Sequence, residues 1–172
     1  IRSGAAGACG GLGAPVSVAG DPLAVGAPTE PSSATGVDGK QADNSAGKSG
    51  AVYVFQRTGK TWAQQAYLKA SNTQSGDVFG ASVSLSGDTL AVGAIGEASN
   101  ATGVNGNQAD NSASFSGAVY VFQRTGTTWA QQAYVKAYHP AARHHLGNNV
   151  SPSAESRAVG ATAGTCRTAA HY

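Results

Sequence analysis

The chain has no methionine, only two cysteines among its 172 residues, and few charged side chains, at 12%. Long amphipathic helices need Leu, Glu, Lys and Arg in quantity, so this composition disfavours a helical bundle. A formal net charge of +2 is too small for the basic surface that nucleic acid or an anionic membrane would require. We therefore expect no nucleic-acid binding. No run of about 18 apolar residues is present, so we expect no membrane insertion either.

The two cysteines, Cys9 and Cys166, are too far apart in sequence to form a CxxC redox or zinc motif. They are candidates for a disulfide. The alternative, two free or buried thiols, is slightly favoured because the two residues occupy non-equivalent positions in the internal repeat.

That repeat is the main feature of the sequence. The segment from Gly20 to Ala27 returns at Gly87 to Ala94, so that Asp21 corresponds to Asp88 at a period of 67 residues. Between residues 13–70 and 80–137, 44 of 58 positions are identical. A fixed period of this length predicts a repeat architecture in which each unit is one supersecondary structure.

Four segments of the second copy have the composition of strands. Gly80–Ser86 shows the period-two alternation of a half-buried strand, and Thr89–Ala94 is more continuously apolar. Gly117–Arg124 places apolar residues on both of its faces, which predicts a strand between two neighbouring sheets. Thr128–Ala137 follows after a Thr-Gly turn.

We therefore predict an all-β fold of tandem four-stranded antiparallel blades of the β-propeller type, arranged as an incomplete ring or an open array. Residues 1–11 are the remnant of a preceding unit or a lead-in, residues 12–70 are unit 1, and residues 71–137 are unit 2. Residues 138–172 form a partial, degenerate third unit. Prolines at 15, 22 and 152 are expected to damage strands in the first and third copies.

The large aromatic residues of both copies are expected to lie in the core between blades rather than in a ligand cage. They are Phe55, Trp62, Tyr67, Phe122, Trp129 and Tyr134.

Long polar segments at residues 28–49 and 95–116 separate the second and third predicted strands of each unit. Connections of this length are unusual and tend to be functional. We expect them to form ligand-binding loops, with candidate residues Glu30, Asp38, Asp43, Asn44, Glu97, Asn105, Asp110 and Asn111. Their oxygen atoms could also hold Ca²⁺, against the alternative of solvated Asx-rich turns, because Asn105 replaces Asp38 in the second copy.

Two further motifs concern modification and metals. Asn100 and Asn149 begin Asn-X-Ser/Thr sequons, which can accept a glycan in a secretory pathway but also arise by chance in so Asn- and Ser-rich a chain. His144 and His145 are adjacent, and adjacent strand residues point to opposite faces, so a shared metal is disfavoured. No nucleophile beside a base and no carboxylate pair stands out, so we expect no enzyme activity.

Three ordered motifs of the second unit, Asp77-Val78-Phe79-Gly80, Leu90 to Ala94 and Gly117 to Phe122, resemble the FG-GAP repeat of integrin-α-type β-propellers, especially in bacterial extracellular proteins. The resemblance implies an extracellular or cell-surface location and adhesion or ligand binding through the loops between strands two and three. In calcium-binding members an acidic loop between strands one and two holds the ion, whereas this chain has only Ser86-Gly87-Asp88 there.

Two complete units and a partial third cannot close the seven-bladed ring that the resemblance implies. The chain is then a fragment of a larger propeller, associates with other chains, or stacks openly. The leading hypothesis is a non-enzymatic binding or adhesion module for a surface protein or glycan. The alternative is a structural subunit that self-associates through open blade edges into an oligomer or filament.

Overall fold

The computed structural model describes residues 15–152 and 159–161, which form ten β-strands and no helix. The strands are β1 (Val16–Val18), β2 (Pro22–Ala27), β3 (Ala51–Thr58), β4 (Thr61–Leu68), β5 (Phe79–Ser86), β6 (Thr89–Ala94), β7 (Ala118–Thr125), β8 (Thr128–Val135), β9 (Val150–Pro152) and β10 (Val159–Ala161). Within these ranges there is accordingly no apolar helix that could cross a bilayer.

Eight strands form two antiparallel sheets of four, ordered β1-β2-β3-β4 and β5-β6-β7-β8, which we call blade 1 and blade 2. The remaining pair, β9 and β10, forms a short antiparallel hairpin. The all-β fold of propeller-like blades is thereby confirmed, and the two sheets form an open array. The limits of the units in sequence remain predictions.

The two blades share their pairing register. Leu23 faces Phe55 in blade 1, and Leu90 faces Phe122 in blade 2. Both blades also have an irregularity between their last two strands, at Val54/Phe55 and at Val121/Phe122. A bulge at this place increases the local twist of the outer strands, and its recurrence shows that the repeat extends to details of the backbone.

Glycines set the distance between neighbouring blades. Gly80, at φ 85°, lies so close to Gly26 that a Cβ on Gly26 would come within 2.3 Å of the Gly80 carbonyl oxygen. The same approach recurs between Gly93 and Gly147, where the corresponding distance is 1.9 Å. Only glycine accommodates both the backbone conformation and the contact, which explains why glycines stand at the centre of the repeated motifs.

An apolar core fills the space between the two blades. Tyr120 and Phe122 of β7 point into it, and the ring of Phe79 packs edge-on against both. Val119, on the opposite face of β7, packs against Leu146 and Val150 in the third unit. The expectation of a strand with a buried face on each side is therefore met in blade 2.

The two tryptophans differ, which corrects the expectation that both lie in the core. Trp129 is 2% exposed because it packs on blade 1, where its Nε1 donates a hydrogen bond to Gln65 Oε1 at 2.9 Å. Trp62 is 38% exposed because no blade in the described part of the chain packs over it as blade 1 packs over Trp129.

The third unit repeats the geometry of the second where it enters the fold. The N–H of Leu146 donates to the Ser116 carbonyl, as the N–H of Phe79 donates to that of Ser49. Pro22 and Pro152 occupy the first residue of β2 and the last of β9, positions at which a missing N–H is tolerated. β2 keeps the six residues of β6 despite Pro22, whereas β1, which follows Pro15, and β9, which ends at Pro152, have three residues each against eight in β5.

Candidate functional site: the loop face

Two long loops, residues 28–50 and 95–117, connect the second and third strands of blades 1 and 2. They leave their blades at the same end, opposite the tight turns that join β3 to β4 and β7 to β8. We call this end of the molecule the loop face.

Each loop is anchored at its base by a buried ion pair. Lys69 Nζ lies 2.9 Å from Glu30 Oε2 in blade 1, and Lys136 Nζ lies 2.6 Å from Glu97 Oε2 in blade 2. Each ammonium group also donates a hydrogen bond to a serine hydroxyl, Ser49 or Ser116, at the far end of the same loop. A single lysine, just after the last strand of the blade (β4 or β8), therefore binds both the beginning and the end of each loop.

Glu30 and Glu97 were predicted to be ligand-binding residues, but both side chains are buried in the structure. An isolated carboxylate in such a place would be very unfavourable, and the lysine compensates its charge. Burial lowers the pKa of Lys69 and of Lys136, while the partner glutamate opposes that shift. These two glutamates therefore hold the loops in place and are not displayed on them.

The two ion pairs are not equally satisfied. Glu97 Oε1 accepts hydrogen bonds from the Tyr134 hydroxyl at 2.7 Å and from the side-chain amide of Asn72, in the linker between the blades, at 3.1 Å. Glu30 Oε1 and the Tyr67 hydroxyl, at the same positions of blade 1, have no hydrogen-bond partner within residues 15–152. The position of Asn72 corresponds to Ala5, which has no polar side-chain atom.

Asp77 is a further buried carboxylate beside these ion pairs. Burial raises the pKa of Asp77 to about 7; the N–H of Gln74 opposes the rise, the charge of Glu97 supports it, and the charges of Lys69 and Lys136 oppose it. His144 occupies the position of Asp77 in the third unit. Its Nδ1 accepts a hydrogen bond from the Ala141 N–H, as the Asp77 carboxylate accepts one from the Gln74 N–H. This position therefore closes a turn between units.

The middle of each loop lies along the outer strand. Asp38 donates its N–H to the Tyr67 carbonyl at 2.7 Å, and its Oδ1 accepts the Tyr67 N–H at 2.8 Å. Asn105 makes the same two bonds to Tyr134. Both residues have positive φ, at 55° and 56°, which Asp and Asn tolerate best. The replacement of Asp38 by Asn105 thus preserves a structural role that needs an oxygen, not a charge.

The tips are braced by aspartates. Asp43 Oδ2 accepts hydrogen bonds from the Ser33 N–H and from the hydroxyls of Ser33 and Ser45, which hold the pKa of Asp43 far below its usual range. Asp110 binds the N–H and hydroxyl of Ser112, which lower its pKa. Asn44 and Asn111, beside these aspartates, are exposed. The predicted site residues Asp38 and Asn105 are exposed as well.

The aspartate oxygen atoms considered as calcium ligands accept hydrogen bonds from groups in the loops and the adjoining strands. In residues 15–152 and 159–161 no group of three or more His, Cys, Asp or Glu side chains is placed to hold a metal ion. Asp88, in the turn where the resemblance would put an acidic cage, forms an ion pair with Arg124 at 2.6 Å.

The sequons, the adjacent histidines and the cysteines are the remaining predicted residues. Asn100 is exposed in the second loop, and Asn149 is exposed just before β9, so both sequons are accessible. His145 packs its ring against Phe115 instead of sharing a strand face with His144. Cys9 and Cys166 lie outside the described residues, and the disulfide remains a prediction.

In a comparison with protein families, a family model described as the FG-GAP repeat matches residues 62–122. This span runs from β4 of blade 1 to β7 of blade 2, so one sequence unit of the family links two adjacent sheets. No curated protein matches the chain.

Proposed function

Because this chain carries the FG-GAP repeat, we propose that it is a propeller-type extracellular binding module whose loop face contacts a surface protein or glycan. In this proposal the chain acts by adhesion and catalyses no reaction. The observation that carries the proposal is that both loops are fixed at base and middle, yet present polar tips at the same end of the molecule. Loops held in one conformation before binding lose less entropy when a ligand arrives.

The two tips differ in the chemistry that they offer. Lys40 and Lys48 are exposed in the first loop, whereas Asn107 and Phe115 occupy the same positions in the second. The first tip therefore suits an anionic group and the second a neutral or apolar one. Variation at the tips above a constant base is typical of binding surfaces built on a rigid scaffold.

Screening on a printed array of polysaccharides and extracellular-matrix proteins would test this function. We expect the chain to bind at least one arrayed ligand and the double variant Asn44→Ala/Asn111→Ala to lose most of that binding while keeping its fold. Lys60→Ala, at the turn on the opposite end of blade 1, is the matched control and should bind normally. Equal loss in the control, or full binding by the double variant, would refute the loop face as the binding site.

Removing a whole loop is not an equivalent test, because it would also remove Glu30 or Glu97 and leave a buried lysine without its partner. A second candidate function, assembly into a larger structure, is favoured by one observation: the exposed face of blade 1 around Trp62.

A further inference from the structure

The contact between blade 1 and blade 2 shows how one FG-GAP blade recognises the next. Trp129 Nε1 donates to Gln65 Oε1 at 2.9 Å, Arg124 donates to Gln56 Oε1 at 3.0 Å, and Gln131 Nε2 donates to Ser71 Oγ at 3.1 Å. Blade 2 supplies the donors of these bonds, and blade 1 with its following linker supplies the acceptors. The interface therefore has two different sides.

The donor side of this interface is present a second time, on the outward face of blade 1. Trp62, Arg57 and Gln64 stand at the positions of Trp129, Arg124 and Gln131, and they are exposed. Val18 is 62% exposed, whereas its equivalent in blade 2, Leu85, is 7% exposed. Arg57 already stacks on Trp62 with its Cζ 6.0 Å from the ring centroid, as Arg124 does on Trp129 at 5.9 Å. The outward face of blade 1 therefore already has the side-chain arrangement that blade 2 uses in its contact with blade 1.

Two of the three acceptors are present a second time, on the outward face of blade 2. Gln123 and Gln132 correspond to Gln56 and Gln65, whereas Tyr138 stands at the position of Ser71. Gln132 is exposed, and Gln123 Oε1 accepts a hydrogen bond from Thr89 at 3.0 Å. Apolar residues of the last two strands of each blade also differ in exposure between the two blades. Val121 and Val135 are half-buried, although their equivalents Val54 and Leu68 are fully buried beneath blade 2.

We infer that a second copy of this chain docks the outward face of its blade 1 on the outward face of blade 2, so that copies associate head to tail. The two faces are the two sides of the contact already made once inside each chain. Because the sides differ, the association is heterologous, and repeated addition produces a ring or an open filament.

The β9–β10 hairpin competes with this association. β9 packs on β5 and β6, the position over blade 2 that corresponds to β5 over blade 1, so the inner strands of an incoming blade would meet the hairpin there. The hairpin strands β9 and β10 have three residues each, whereas the incoming β1 and β2 have three and six. A longer strand pair buries more surface and displaces the shorter one at sufficient concentration.

Sedimentation velocity of the full chain between about 5 and 500 µM tests the inference in the concentration range of weak specific contacts. We expect the sedimentation coefficient to rise with concentration. Trp62→Ala and Gln132→Arg should each weaken association at least about tenfold, as loss of a central anchor does. Lys60→Ala is the control and should associate like the unmodified chain, because Lys60 is exposed and its equivalent Thr127 stays exposed in the contact between the blades.

Mixing the two variants separates head-to-tail contact from a symmetric one. Trp62→Ala keeps an intact acceptor face and Gln132→Arg keeps an intact donor face, so an equimolar mixture should form dimers and nothing larger. Ser151→Pro, which removes an N–H from β9, should strengthen association. Arg57→Ala replaces Trp62→Ala if the latter fails to fold, as judged by circular dichroism.

Several results would overturn the inference. One is a chain that stays monomeric over the whole range. Another is a Trp62→Ala or Arg57→Ala chain that associates as strongly as the unmodified one. A third is a mixture that remains monomeric although the unmodified chain associates, which would indicate a symmetric contact.

Discussion

Blade 1 and blade 2 present nearly the same residues in different surroundings. Trp129 is enclosed between blades and Trp62 is not, although both stand in the segment WAQQAY. Glu97 has a donor on each carboxylate oxygen, whereas one oxygen of Glu30 has no hydrogen-bond partner in the part of the chain that the structure describes. The contribution of a residue in a repeat protein therefore depends on its neighbouring unit as much as on its own.

Replacing the tryptophans one at a time should give the largest contrast. We expect Trp129→Ala to lower the free energy of unfolding by about 3 to 5 kcal/mol, as truncation of a buried aromatic side chain does. Trp62→Ala should cost less than about 1 kcal/mol, because its side chain is partly in water already. Urea unfolding at low protein concentration measures both, and equal losses would contradict the assignment of the two environments.

The buried ion pair of blade 2 offers the next contrast. Lys136→Met should cost about 3 kcal/mol, because it leaves Glu97 charged and buried with only neutral donors. Adding Glu97→Gln should recover much of that loss, since an amide oxygen still accepts from Tyr134 without carrying a charge. If urea unfolding shows that the double variant is no more stable than Lys136→Met, the loss does not arise from uncompensated charge.

Changing pH tests the buried carboxylate between the units. The pKa of Asp77 is raised from 3.8 to about 7, so the folded state holds a proton that the unfolded state releases. The contribution of Asp77 to stability should accordingly be greatest below pH 4, fall as pH rises from about 4 to about 7, and stay constant above that. The expected loss between pH 4.5 and 8 is about 3 kcal/mol.

Asp77→Asn should remove most of that slope, because an amide accepts the Gln74 N–H without titrating. Urea midpoints at the two pH values measure the slope in each protein. An unchanged slope in the variant would assign the pH dependence to other groups.

The smallest contrast concerns the loop position at which the two copies already differ. Asp38→Asn should change stability by less than about 0.5 kcal/mol, because Asn105 makes the same bonds at the same backbone conformation. Asn105→Ala should cost about 1 kcal/mol, since it removes the acceptor for the Tyr134 N–H. Thermal unfolding of the three proteins checks the order, and a large loss in Asp38→Asn would mean that the charge matters.

Much of the fold could be predicted from the repeat. Alternation and the 67-residue period indicated all eight strands of the two blades, because strand periodicity survives wherever one side of a strand is buried. The environment of Trp62 could not be predicted, since a repeat pattern does not reveal which blade lacks a neighbour.

The candidate site was less predictable. Glu30 and Glu97 were expected at the surface because a carboxylate in a long polar loop usually is, and each pairs with a lysine far away in sequence. A signal was present: Glu30 and Lys69 recur as Glu97 and Lys136, while the residues beside the glutamate change from Thr29 and Pro31 to Gly96 and Ala98. The bracing roles of Asp43 and Asp110 depend on hydrogen bonds that require coordinates.

The glycine contacts between blades have a consequence for how such chains lengthen. Because Gly26 meets the Gly80 carbonyl, and Gly93 that of Gly147, main-chain contact fixes the spacing of successive sheets at these points. Duplication of a single unit can then insert a sheet at the correct pitch before any compensating substitution has arisen. Divergence of the loop tips can follow later without disturbing the stack.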